Sequence, residues 1–144
     1  MKLRDVEDVS KLTPAMQQYA SLKKKNESSL LFFRMGDFYE LFFDDAIITA
    51  KELNITLTKR GKVLNENIPM CGIPFHAANN YVPKLVKKGF EIAICEQTSS
   101  PEEMSLKGMK GPLTREVTRI ITPGTLIEET HLESEQHNFL GCIL

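Results

Sequence analysis

The chain divides into short apolar stretches whose period changes from one segment to the next. Met16, Tyr19 and Leu22 recur at helical spacing behind Thr13-Pro14. A threonine there can cap a free helix amide, and proline suits the first helical position, so a helix is predicted from Pro14. Lys23, Lys24 and Lys25 fall in its last turn, where the helix dipole favours cations. Leu30–Arg34 is a short apolar run and predicts a strand. Gly36-Asp37 predicts a turn or bulge, and Phe38–Phe43 a second strand, which would make the pair a hairpin.

Asp44 or Asp45 is expected to cap a helix over Ala46–Leu53 that stops near Asn54. Ile55–Lys59 alternates with β-branched residues and reads as a strand. Arg60-Gly61 is expected to begin a turn, followed by a polar loop over 61–67. Ile68–Ile73 is interrupted by Pro69 and Gly72, which predicts an irregular edge strand. Asn79–Lys88 predicts a helix that tolerates Pro83 only in its first turn and stops at Gly89. Glu91–Glu96 reads as a buried strand and Ser99–Gly111 as a loop. Arg115–Ile121 alternates as another strand, and Pro123-Gly124 turns the chain. Short turns join most of the strands. The fold class predicted is therefore α+β, a mixed, mostly antiparallel β-sheet with about three helices packed on it, rather than a doubly wound parallel sheet.

A length of 144 residues suits one domain and a fragment of a second. Residues 1–11 mix charges without periodicity and read as a flexible arm, and residues 12–129 as the domain. Residues 130–144 read as the start of a following domain, because the run Phe139-Leu140-Gly141-Cys142-Ile143-Leu144 looks like a strand cut from its sheet. No apolar run approaches the roughly 20 residues of a membrane helix. The N-terminus MKLRDVEDVS lacks the apolar core of a secretory signal. A cytoplasmic location without a membrane partner is the expectation. The three cysteines, Cys71, Cys95 and Cys142, lack metal-ligand spacing and read as reduced, mostly buried thiols.

Charge sharpens the picture. The net charge is −1, with acids gathered at the ends (Asp5, Glu7, Asp8; Glu128, Glu129, Glu133, Glu135) and a middle richer in Lys and Arg. Such a chain lacks the charge to hold a duplex through phosphate contacts alone, so by itself it is expected to bind DNA weakly. The profile suits a domain that reads DNA while other parts grip the backbone. It also suits any soluble domain with a solvated surface.

The chemistry concentrates in MGDFYELFFDD, residues 35–45. In a strand, residues two apart share a face, roughly 6–7 Å apart. Phe38, Glu40 and Phe42 then share one face, and Tyr39, Leu41 and Phe43 the other. An aromatic ring can stack on or wedge beside a base, and a nearby carboxylate can test a base edge. Pattern alone favours core packing for Phe38, in one cluster with Phe32, Phe33, Phe42 and Phe43, and a solvated strand carboxylate for Glu40. Asp37 and Glu40 could also be paired acids or metal ligands of a nuclease-like enzyme, but no His or third carboxylate lies at ligand-like spacing. A protein-interaction domain is the other alternative. Lys59, Arg60, Lys107, Lys110 and Arg115 are candidate phosphate contacts, though basic residues at turns are commonly just solvated. Cys71 with His76 reads as structural, since no third catalytic partner accompanies them.

Five segments occur in order: RMGDFYELF (Arg34–Phe42), TLTKRG (Thr56–Gly61), IPMCGIPFHA (Ile68–Ala77), AICEQ (Ala93–Gln97) and VTRIITPGT (Val117–Thr125). From about Leu12 to about Glu129 the chain resembles the N-terminal, mismatch-recognising domain of the MutS family of bacterial DNA mismatch-repair proteins. The resemblance implies that Phe38 stays exposed and inserts from the minor groove at a mismatch, and that Glu40 contacts the mispaired base. It implies mismatched double-stranded DNA and the remaining MutS domains as partners, a homodimer only at full length, and a connector domain after this one. It also implies an ATPase using ATP and magnesium elsewhere in the full-length protein. This chain contains no GxxxxGK[ST] phosphate loop, so it is expected to hold no cofactor or metal and to be no enzyme.

If residues 130–144 belong to another unit, truncation after about Glu129 leaves the melting temperature nearly unchanged. A thermal melt of the shortened chain checks this, and a large drop would assign the segment to this fold.

Overall fold

In a computed structural model, residues 9–63, 66–108 and 111–124 are described. The elements run α1 (Pro14–Lys25), β1 (Ser29–Met35), β2 (Phe38–Phe42), α2 (Phe43–Leu53), β3 (Thr58–Val63), β4 (Glu66–Pro74), α3 (Ala78–Lys87), β5 (Glu91–Gln97), α4 (Pro101–Leu106) and β6 (Arg115–Ile121). One sheet of six strands forms in the order β3-β4-β2-β1-β5-β6. Neighbours pair antiparallel except β1 and β5, which run parallel. The predicted α+β class and its mostly antiparallel sheet are what the chain adopts. No helix among the described residues is long and apolar enough to cross a membrane. The arm residues 1–8 and the apolar end Phe139–Leu144 lie outside the described residues.

Each face of the sheet has its own core. On one face, α1 packs Met16, Tyr19 and Ala20 against Leu31, Phe33, Phe42, Ala93 and Cys95. On the other, α2 and α3 bring Ala46, Ala50, Val82, Leu85 and Val86 onto Phe32, Tyr39, Leu41, Cys71, Ile73 and Ile92. The single apolar cluster expected for the phenylalanines is therefore divided. Phe33, Phe42 and Phe43 lie on the α1 face, Phe32 lies on the opposite face, and Phe38 is outside both cores. Strand alternation holds for Phe38 through Phe42. It fails at Phe43, expected beside Tyr39 and Leu41, because the chain turns there.

That turn overrides the expected cap. Phe43 adopts φ +56 and starts α2 directly after β2, with no side chain capping the helix. Asp45, expected as a cap, is buried instead. Its carboxylate accepts from the Leu31 amide at 3.0 Å, just past the last β1–β2 rung, and pairs with Lys23 of α1 at 2.9 Å. The Tyr19 hydroxyl lies 3.2 Å from the Phe42 carbonyl and 3.4 Å from the same carboxylate. Burial pushes the Asp45 carboxyl above its ordinary range, while Lys23 and the Leu31 amide pull it back.

The other caps legible in the sequence are present. Thr13 Oγ1 accepts from the Met16 amide at 3.3 Å, Asn54 closes α2 in the left-handed region, and Gly89, at φ +99, follows α3. Other expectations are corrected. The strand placed at Ile55–Lys59 begins at Thr58 and runs through Arg60-Gly61, which form no turn; Gly61 at φ +66 instead sits within a register shift between Lys59 and Lys62. β4 is an interior strand, not an edge. Pro69 is accommodated because β2 ends at the Phe42–Met70 rung, leaving Pro69 facing only β3 at its irregular point. Pro83 stands in the second turn of α3, not its first. Its missing N–H frees the carbonyl of Asn79, which is on the exposed side of the helix and can meet water. The 99–111 segment contains α4, begun by Ser100, whose Oγ accepts from the Glu103 amide at 3.1 Å.

Replacing Asp45 by Ala leaves Lys23 with only the Glu27 and Ser29 carbonyls and the Leu31 amide without its acceptor, a loss of about 1–3 kcal/mol for the unsatisfied buried amide alone. Asp45→Asn keeps an acceptor for Leu31 and costs less. Urea unfolding of the two variants measures the difference.

Candidate nucleic-acid interface

Two residues, Gly36 and Asp37, join β1 to β2, with Gly36 at φ +61. The register sets Phe38 opposite Met35 and Glu40 opposite Phe33 on the face that α1 covers. The helix reaches Phe33 and Phe42 but leaves Phe38 uncovered. Phe38 is 41% exposed, and its ring lies across Gly72, with Cδ2 3.9 Å from where a Cβ would stand.

The turn carrying Phe38 is braced from the other face. Arg34 Nε donates to the Gly36 carbonyl at 2.6 Å, and its Nη1 pairs with Glu96 at 2.9 Å. The guanidinium stacks over Phe75, 3.7 Å from the ring centroid. The Phe75 amide donates to the Asp37 carbonyl at 2.7 Å. Tyr39 donates to the Glu96 carboxylate, and burial raises its phenol well above the ordinary range. The hairpin tip is thus tied to β5 and to the segment after β4. Sequence reasoning missed this role of Arg34, Phe75 and Glu96. Arg34 lies inside the most informative segment, but no spacing signal joins it to Glu96, 62 residues on.

Two cations act on Glu40. Arg60 Nη1 lies 3.0 Å from Glu40 Oε1, with side-chain exposures of 43% and 15%. Arg115 is also close enough to act on Glu40 electrostatically. Arg115 is fixed by its own partners: Nε donates to the Arg34 carbonyl at 2.7 Å and Nη1 to Gln18 Oε1 at 2.6 Å, with the guanidinium 4.6 Å over Phe33. Burial raises the Glu40 carboxyl above 4.5 even though both arginines favour its charged form.

The remaining candidates scatter. Lys59 is exposed and has no ion pair with Glu40 among the described residues. Lys107 is exposed at the end of α4, on the segment following β5. Lys110 lies outside the described residues. Asp37 is exposed in the turn, and among the described residues no three His, Cys, Asp or Glu side chains could hold a metal. Cys71 is buried, its thiol pushed up to about 12, whereas His76 is exposed. Cys95 is likewise buried, its thiol pushed up to about 12, and Cys142 is not among the described residues.

The raised Glu40 value has a pH consequence. The folded protein holds this proton more tightly than the unfolded chain, so Glu40's contribution is most favourable below 4.5 and is lost as pH rises through its folded value. Glu40→Gln does not titrate. Its melting temperature minus that of wild type should therefore increase from pH 4 to pH 7, as parallel thermal melts would record. A constant difference would contradict the burial described.

The chain is similar to known proteins along most of its length. The chain is 53% identical over 135 residues to the DNA mismatch repair protein MutS of Ehrlichia chaffeensis, covering 94% of this chain and 16% of that protein. It is 54% identical over 133 residues to the MutS of Ehrlichia ruminantium, covering 92% and 16%. Over 129 residues it is 54% identical to the MutS of Ruegeria pomeroyi, covering 90% and 15%. The chain thus spans about one sixth of the length of these relatives. The family model described as MutS domain I matches residues 13–130, taking in α1 through β6 and the braced hairpin, and the chain belongs to that family.

Proposed function

We propose that this domain recognises mispaired or unpaired bases in double-stranded DNA, with Phe38 as a wedge and Glu40 as the contact to the displaced base. The observation that carries this reading is the exposed Phe38 ring on a turn braced from behind, beside a half-buried carboxylate. A mispaired step is cheaper to unstack and bend than a paired one, so a rigid ring pushed into the duplex selects deformability rather than sequence. Glu40 then accepts a hydrogen bond from the displaced base. Burial already favours its protonated form, so in the field of the phosphates it could instead donate one.

Arg60 is the phosphate contact this site favours; Lys59, Lys107 and Lys110 are weaker candidates. With a net charge of −1, other domains of a longer protein supply most of the backbone grip. Those domains, a homodimer at full length and an ATP- and magnesium-using ATPase outside this chain complete the proposal.

Phe38→Ala in the full-length protein tests the wedge. An exposed ring leaves no core cavity, whereas a buried Phe→Ala costs about 3–5 kcal/mol. Melting should stay near wild type, and preference for mismatched over matched duplex should fall by about 10- to 100-fold, the size of a lost base–aromatic stack of roughly 1–3 kcal/mol. Strong destabilisation, or unchanged preference, would overturn the proposal.

A further inference from the structure

We infer that Arg60 is a removable latch on Glu40: it pairs with the carboxylate in the free protein and transfers to a DNA phosphate on binding, which releases Glu40 for the base. This inference rests on the mismatch-reading role proposed above.

The two cations beside Glu40 differ in how they are held. Arg115 has three kinds of partner: a backbone carbonyl, the Gln18 side chain and the face of Phe33. It cannot leave without breaking all of them. Among the described residues Arg60 has a single polar contact, one nitrogen to one oxygen at 3.0 Å, and its side chain is nearly half exposed. It rides on β3, the edge strand, inside the register shift that Gly61 permits. A guanidinium binds phosphate through two parallel hydrogen bonds, which it does not make to Glu40. A phosphate brought near this edge therefore competes well for Arg60, while Arg115 stays.

The exchange has a directional result. With Arg60 in place, the Glu40 carboxylate is partly neutralised and its Oε1 is engaged. Once Arg60 moves, the carboxylate remains partly desolvated, next to Phe38 on the same face of β2, with Oε1 free to meet a base edge. A protein without DNA thus carries a covered Glu40. A phosphate uncovers the residue, and it then meets a base only where a step has also been wedged open. Arg60 is in this sense a specificity-determining residue and not only a source of charge.

The test is the salt dependence of affinity for mismatched and matched duplexes, measured on the full-length protein as wild type, Arg60→Ala, Glu40→Gln and the double variant. Each phosphate neutralised by the protein steepens the fall of log K with log salt by about 0.9. If Arg60 transfers, Arg60→Ala makes that fall shallower on mismatched DNA by about 0.9. Glu40→Gln leaves Arg60 unlatched, so matched-duplex affinity rises several-fold in that variant, and this gain disappears in the double variant. If Arg60 stays on Glu40, the slope does not change on Arg60→Ala, and the gain from Glu40→Gln persists in the double variant; either result overturns the latch. Wild-type binding without any mismatch preference would instead overturn the functional reading on which the latch depends.

Discussion

A buried carboxylate sets the geometry of this domain. Asp45 is reached by Lys23 and the Tyr19 hydroxyl from α1 and by the Leu31 amide of β1, so one side chain from α2 ties two other elements together. Because it accepts from Leu31, it takes over where the β1–β2 ladder ends. The same junction forces Phe43 into a left-handed conformation, which costs a residue with a Cβ about 1–2 kcal/mol. The rings of Phe42 and Phe43 compensate by packing on Tyr19, with centroids at 5.0 and 6.3 Å. Strand β2 is therefore pinned at its Phe42 end. Its other end, at Phe38, can be held in place without being buried.

The two faces of the sheet divide the labour. The face under α2 and α3 is covered along the hairpin, and even beyond it Arg34 and Phe75 close over the turn. The face under α1 is covered only as far as Phe33 and Phe42. Phe38 and Glu40 occupy the uncovered part. The arrangement concentrates rigidity behind the hairpin and accessibility in front of it, as a residue that must push into a stacked duplex requires.

Local chemistry made much of this legible. Thr13-Pro14, Asn54 and Gly89 mark helix ends by mechanisms confined to a few residues, and Arg115–Ile121 alternates with no competing signal. Phe38 is different: its strand pattern points to a core position, and only the order of the surrounding segments pointed to exposure. What stayed illegible depends on distant partners. Asp45 looked like a helix cap because caps are local, whereas its actual partners are 14 to 26 residues away. The β3 start was misplaced because Ile55 and Leu57 mimic a strand, while pairing with β4 begins only at Thr58. The α4 helix was a local signal passed over: Ser100-Pro101-Glu102-Glu103 is a capping sequence inside a segment read by its composition. Lys59 and Arg60 look equivalent side by side, and only the folded sheet shows that Arg60 meets Glu40.

The parallel pairing of β1 with β5 also governs how the domain can be moved. It brings the end of β5 level with the β1–β2 turn, and antiparallel β6 then returns to Ile121, beside Ile92. Ile121, at the end of β6, thus lies at the far end of the sheet from the wedge, a span of roughly 17 Å for the steps from Ile92 to Gln97 at about 3.3 Å each. The paired strands between Ile121 and Phe38 form a stiff arm. A small tilt imposed at one end becomes a larger excursion of the ring at the other, so the sheet serves as a lever as well as a scaffold.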